Sequence, residues 1–171
     1  MSEELRKSTG AINSVSNITK HSFELNEFIE GSSSLLISNN DEVEDASMFA
    51  LERHLEDFLV ENWENTELAK KFDIYQDEEV FGQQFQTDTG PIDILAISKD
   101  KKELLVIELK KGKASDTVVG QIQRYMGYIK NEFLEEGQIV KGAIIALEDS
   151  LKIKRALSVT SDIDFYRYTV N

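Results

Sequence analysis

The stretch LLVIELKKGK, Leu104 to Lys113, decides how this chain folds. Its apolar residues are continuous up to Leu109, so neither face of the strand it predicts is a solvent face. Alternation puts Leu104, Val106, Glu108 and Lys110 on one side and Leu105, Ile107 and Leu109 on the other. A carboxylate and an ammonium therefore continue a buried apolar stripe. Working outward, SKDKKE carries a turn before this strand, and PIDILAIS, Pro91 to Ser98, is the strand before that turn.

The turn sets what Glu108 meets. A loop with an even number of residues, centred between Asp100 and Lys101, places Asp93 directly opposite Glu108, with Cβ atoms about 4.5–5.5 Å apart. A three-residue loop shifts the pairing by one and throws Asp93 to the other face. Asp93 shares its face with Leu95 and Ile97, so both carboxylates extend apolar stripes that end at one edge of the sheet. Two facing carboxylates repel. Protonation, a neighbouring cation or a bound metal relieves the repulsion. Lys110 is a partial remedy, and a hard divalent ion such as Mg²⁺ accepts this ligand set together with waters and phosphate oxygens.

Beyond the hairpin the pattern predicts helices at about 47–62, 115–133 and 149–158, and strands near 79–87, 91–98, 103–110, 140–147 and 163–169. This order describes an α/β fold, with an antiparallel meander and a helical crossover to the fourth strand, flanked by helices. On the first helix Met48, Leu51, Leu55, Phe58 and Leu59 define a buried arc that contains Glu52. A glutamate there is expensive unless paired or metal-linked. Glu56 lies nearer the edge of the arc and is the weaker candidate. On the second helix Gln121, Tyr125 and Tyr128 share a face, with Arg124 alongside. Gln121 suits orienting a water or phosphate and Arg124 suits holding a phosphate. The two tyrosines read first as packing residues, with base stacking as the alternative for both.

Residues 1–45 form a polar extension rich in Ser, Asn and Glu, with short apolar islands, ahead of a domain over 46–171. The composition, 40% hydrophobic and 30% charged, is that of a globular chain. No apolar run suits a bilayer span, and the N-terminus lacks the pattern of a secretory signal. Zero cysteines remove disulfides, zinc-thiolate sites and thiol nucleophiles. A cytoplasmic setting fits these features. The net charge of −13 argues against a broad basic DNA-binding surface. Local lysines and divalent cations still allow a nucleic-acid substrate, and Lys111 and Lys113 flank the candidate site.

Taken together, GPIDIL, VIELKKGK and VGQIQRYMGYI resemble the PD-(D/E)XK nuclease superfamily, in particular the C-terminal nuclease domain of NucS/EndoMS endonucleases. The similarity runs from Ser47 to Asn171. It implies a restriction-endonuclease-like core and a Mg²⁺- or Mn²⁺-dependent endonuclease that hydrolyses DNA phosphodiesters. By that resemblance Asp93, Glu108, the Leu109 carbonyl and Glu52 serve the metal. Lys110 positions the attacking water, and Gln121 aligns the lysine, water or phosphate. Lys111, Lys113, Arg124 and Tyr125 are the candidates for contact with nucleic acid. NucS-type enzymes carry an N-terminal domain for DNA binding and dimerisation, where this chain has its polar residues 1–45. A homodimer or a separate DNA-binding partner is the corresponding expectation. The competing readings are a non-catalytic binding or assembly module on this fold, and a nuclease acting on RNA or nucleotides.

Overall fold

A computed structural model describes residues 52–168. The upstream part of the first predicted helix and the extension at 1–45 lie outside these residues. The first described element, α1, covers residues 52–61. Two 3-10 turns, Trp63–Asn65 and Leu68–Lys70, lead from it into β1 (Phe72–Ile74). The chain continues through β2 (Gln83–Thr87), β3 (Gly90–Ser98), β4 (Glu103–Lys113), α2 (Thr117–Tyr128), β5 (Ile139–Glu148), α3 (Leu151–Leu157) and β6 (Ile163–Arg167). A π-helical turn, Ile129–Phe133, extends α2 to the end expected for that helix.

The six strands form one mixed sheet in the order β1-β3-β4-β5-β6, with β2 also paired to β3. β3 and β4 are antiparallel, whereas β4, β5 and β6 run parallel through helical crossovers. The sheet buries both faces. Leu55, Phe58 and Leu59 of α1 pack with Leu105, Ile107 and Leu109 on one side. Val118, Ile122 and Tyr125 of α2 pack with Leu104, Val106 and Ile144 on the other. This explains the unbroken apolar run of β4, because a parallel strand covered on both faces has no solvent side.

Two short segments depart from the periodicity. β1 was not foreseen, since three residues are too few for a period-2 pattern to register. The predicted strand at 79–87 begins only at Gln83, because Asp77 Oδ1 accepts from the Glu79 and Val80 N–H groups and turns the chain there. Gly82 is the point where β1 gives way to β2 along β3. Its N–H donates to the Tyr75 carbonyl and its carbonyl accepts from the Leu95 N–H. A Cβ at this position would stand 2.2 Å from the Leu95 oxygen, so only glycine fits.

Candidate active site

The register settles the conditional inference from the sequence. β3 ends at Ser98 and β4 begins at Glu103, so the loop has an even number of residues. Ser98 organises it, with its Oγ accepting from the Lys102 and Glu103 N–H groups. The ladder pairs Ile97 with Leu104, Leu95 with Val106 and Ile94 with Ile107. One step further along this register brings Asp93 against Glu108, the even-loop outcome. The recorded pairing stops at Ile94, and beyond it the Asp93 side chain meets β4, its Oδ2 accepting from the Leu109 N–H at 2.8 Å.

β4 changes again after Lys110. Lys110 pairs with Ala146 and Lys113 with Glu148, which leaves one extra residue on β4 and defines a bulge. Gly112, at φ +80°, supplies the left-handed backbone within it. Two N–H groups of the bulge are met from outside the sheet. The Lys111 N–H donates to Glu52 Oε1 and the Gly112 N–H to the Tyr168 hydroxyl, each at 3.4 Å. The glycine in ELKKGK thus lets β4 turn its end toward α1.

The carboxylates at this edge sit in unlike surroundings. Glu108 is 2% exposed, and its Oε1 has no hydrogen-bond partner among the described residues. Burial, reinforced by the neighbouring Asp93 charge, pushes its carboxyl up to about 9, with Lys110 pulling the other way. Burial likewise pushes Asp93 up to about 6 against the stabilising Leu109 N–H. Both directions say that the pair resists carrying two negative charges without a cation. Glu52 is different. It is half buried, and its Oε2 stands 3.8 Å from Lys110 Nζ. Burial lowers the Lys111 ammonium, and the Glu52 charge opposes this.

Among the described residues, no three His, Cys, Asp or Glu side chains converge closely enough to hold a metal by themselves. The hard-oxygen set of Asp93, Glu108 and the Leu109 carbonyl still suits Mg²⁺ or Mn²⁺, which commonly bind one or two carboxylates and keep several waters. The unpartnered, buried Glu108 Oε1 is the observation that favours this fit. Glu52 meets Lys110 Nζ and the Lys111 N–H at the same edge of the sheet.

The other predicted residues have surroundings of their own. Gln121 is half buried on α2 and makes no hydrogen bond to Asp93, Glu108 or Lys110. Arg124 is exposed and stacks over the Tyr125 ring at 5.6 Å. Tyr125 is only 4% exposed, so its ring packs in the core and has little face for a base. Lys113 is exposed at the end of β4. The larger surprise is Glu56. Although the helical wheel placed it near the edge of the arc, it is 2% exposed, more deeply buried than Glu52. Gln83 Nε2 donates to its Oε1 at 2.9 Å and Gln84 Nε2 to its Oε2 at 2.6 Å. The paired glutamines before the PID strand were the available sequence signal.

The same architecture occurs in known proteins. A repair endonuclease from Pyrococcus abyssi matches with a TM-score of 0.52 at 22% identity, over 68% of this chain and 45% of that one. EndoMS in complex with double-stranded DNA gives 0.52 at 22% identity, over 68% and 43%. EndoMS in its apo form gives 0.51 at 23% identity, over 70% and 46%. Endonuclease NucS of Methanocaldococcus jannaschii is 34% identical over 64 residues, which is 37% of this chain and 23% of that protein. The chain therefore spans less than half the length of each of these relatives. The model of the endonuclease NucS C-terminal domain matches residues 51–167, most of the chain and every element of the site. With that match covering the β3–β4 hairpin, α1 and α2 together, the chain belongs to the NucS C-terminal domain family.

Proposed function

We propose that this domain is a Mg²⁺- or Mn²⁺-dependent DNA endonuclease. The observation that carries the reading is the Asp93–Glu108 pair, Glu108 buried and Asp93 half-buried, where β3 and β4 cease to pair, with Lys110 two residues further along β4. Membership of an endonuclease domain family supports the reaction class. EndoMS, solved with double-stranded DNA, supports the substrate class.

In this reading Asp93, Glu108 and the Leu109 carbonyl hold the cation. When bound, a divalent ion polarises a phosphoryl oxygen and lowers the pKa of its water. The Leu109 N–H fixes the Asp93 carboxylate through Oδ2. Lys110 Nζ, oriented by Glu52, holds the attacking water and offsets charge that develops on the phosphoryl oxygens. Proton handling by such a positioned group contributes about 10²–10⁴-fold. Gln121 enters as a group that contacts the phosphate once substrate lies along α2. Lys111, Lys113 and Arg124 supply local positive charge on a chain whose net charge is −13. That global charge makes binding weak and salt-sensitive, which favours a second copy or a separate DNA-binding partner. A non-catalytic binding module is the competing reading, but such a module has no need to retain two repelling carboxylates, one of them fully buried.

The test is cleavage of single-stranded, forked and mismatched DNA with Mg²⁺ or Mn²⁺, alongside Asp93→Ala and Lys110→Ala. The reading predicts cutting by the parent and its loss in both variants. It fails if nothing is cut or if the variants cut as well as the parent.

A further inference from the structure

Gln84 stands at an unusual place in β2. Its φ is +51°, a left-handed conformation rare for a residue with a Cβ. The ladder pairs Gln83 with Ile94 and Phe85 with Ile92, so Gln84 falls beside Asp93 between two regular pairs. This backbone turn accompanies a side-chain amide that reaches α1 and donates to Glu56 Oε2. Gln83 donates to Glu56 Oε1 and also to Asp57 Oδ1, at 2.6 Å. Arg53 Nε lies 3.7 Å from the same Oε1. Both oxygens of a nearly inaccessible carboxylate are thus engaged, and neither is left to bind a cation itself. A strained backbone position beside a candidate metal ligand and a buried charge clamped by two amides meet at one point.

We infer that Glu56, Gln83 and Gln84 form a positioning cluster that fixes β2 against α1 and thereby holds Asp93 in its cation-binding orientation. The inference rests on the proposed role of Asp93. β3 is held at Asp93 from two sides: the Leu109 N–H of β4 takes its carboxylate, and the Gln83–Phe85 segment flanks its backbone. Burial raises the Glu56 carboxyl, the Gln83 and Gln84 amides oppose this, and Asp93 lies close enough for its charge to act on Glu56. Glu56 needs no contact with substrate or metal to fix β2 against α1.

Gln84→Gly separates strain from hydrogen bonding. Glycine adopts a φ of +51° freely, but it carries no amide for Glu56. The inference predicts an unchanged or higher Tm for the metal-free chain, with apparent Mn²⁺ affinity, measured by calorimetry, weakened about tenfold or more. Cleavage kcat falls in parallel, while KM for DNA holds. Glu56→Gln keeps the volume and removes the charge; it is expected to weaken Mn²⁺ binding in the same direction. Parent-like Mn²⁺ affinity in both variants overturns the inference. So does a large fall in Tm without any change in Mn²⁺ affinity, since the cluster then only packs α1 on β2. A parent that binds Mn²⁺ through Asp93 but cuts no DNA removes the proposed activity and leaves the positioning role standing on the binding data. A parent that binds no Mn²⁺ removes both.

Discussion

Two glutamates on the same strand sit in opposite electrostatic surroundings. Glu103, at the start of β4, lies 2.7 Å from Lys71 Nζ and 3.4 Å from Lys141 Nζ. The Lys71 hydrogen bond, with Lys141 helping, holds its carboxyl below the ordinary range. Glu108, five residues on, is buried against Asp93 with Oε1 unpartnered, and its carboxyl is driven up to about 9. Glu103 has neutralising partners built into the fold; Glu108 lacks a full set. The difference arises where β3 stops pairing with β4 and a side chain begins to do the work of the ladder.

The largest expected contrast is catalytic. Asp93→Ala or Lys110→Ala should reduce cleavage by about 10²–10⁴-fold. Glu103→Gln, on the same strand, should leave kcat within about twofold and lower stability by roughly 1 kcal/mol or less, as for other partly exposed ion pairs. Comparable losses from both ends of β4 would erase the distinction.

Next comes the opposite pH dependence of the two ends. Asp93 and Glu108 have raised carboxyls, so the stability they lend is fully present below about pH 4, their unfolded range, and is lost as pH rises. The window closes near pH 6 for Asp93 and near pH 9 for Glu108. Glu103 is lowered, so its contribution is present above its unfolded pKa and disappears in acid. Thermal unfolding in EDTA should therefore show Tm falling from pH 5 to 9. Glu108→Gln should flatten that fall, and Mg²⁺ should raise Tm more at pH 9 than at pH 5. A metal-free Tm that rises steadily across this window would contradict the assignment.

A third test concerns backbone. Gly112→Ala places a Cβ in a left-handed position, at roughly 1–2 kcal/mol. Nothing lies within 4 Å of that Cβ, so packing is spared. The bulge is disturbed beside the Glu52–Lys110 contact, and cleavage should fall more steeply than Tm. Unchanged cleavage at lowered Tm would make the bulge purely structural.

The smallest effect is expected at the rim. Lys113→Ala should raise KM for DNA a few-fold at low salt and reduce the salt slope by about one unit per lost phosphate contact, leaving kcat alone. An unchanged salt slope would place Lys113 outside the DNA path.

Local pattern carried much of this. The continuous apolar run of β4 foretold burial on both faces, and the sequence made the meeting of Asp93 and Glu108 conditional on an even loop, which the structure supplies, because strand pairing propagates a turn's geometry residue by residue. Periodicity also placed α2 and the crossover. It was silent on the three-residue β1, too short to show a period, and on the bulge after Lys110, which depends on how β4 ends against β5. The helical wheel ranked Glu52 above Glu56, since a wheel records only the helix's own geometry. What Glu56 touches is decided by Gln83 and Gln84, 27 and 28 residues away. By itself the sequence determined the longer strands, the two registers open to the hairpin and the identity of the charged residues at the edge of the sheet, all consequences of near-neighbour spacing. Only the tertiary structure decided which of those charges have partners, because desolvation and hydrogen bonding depend on elements that chain connectivity does not bring together.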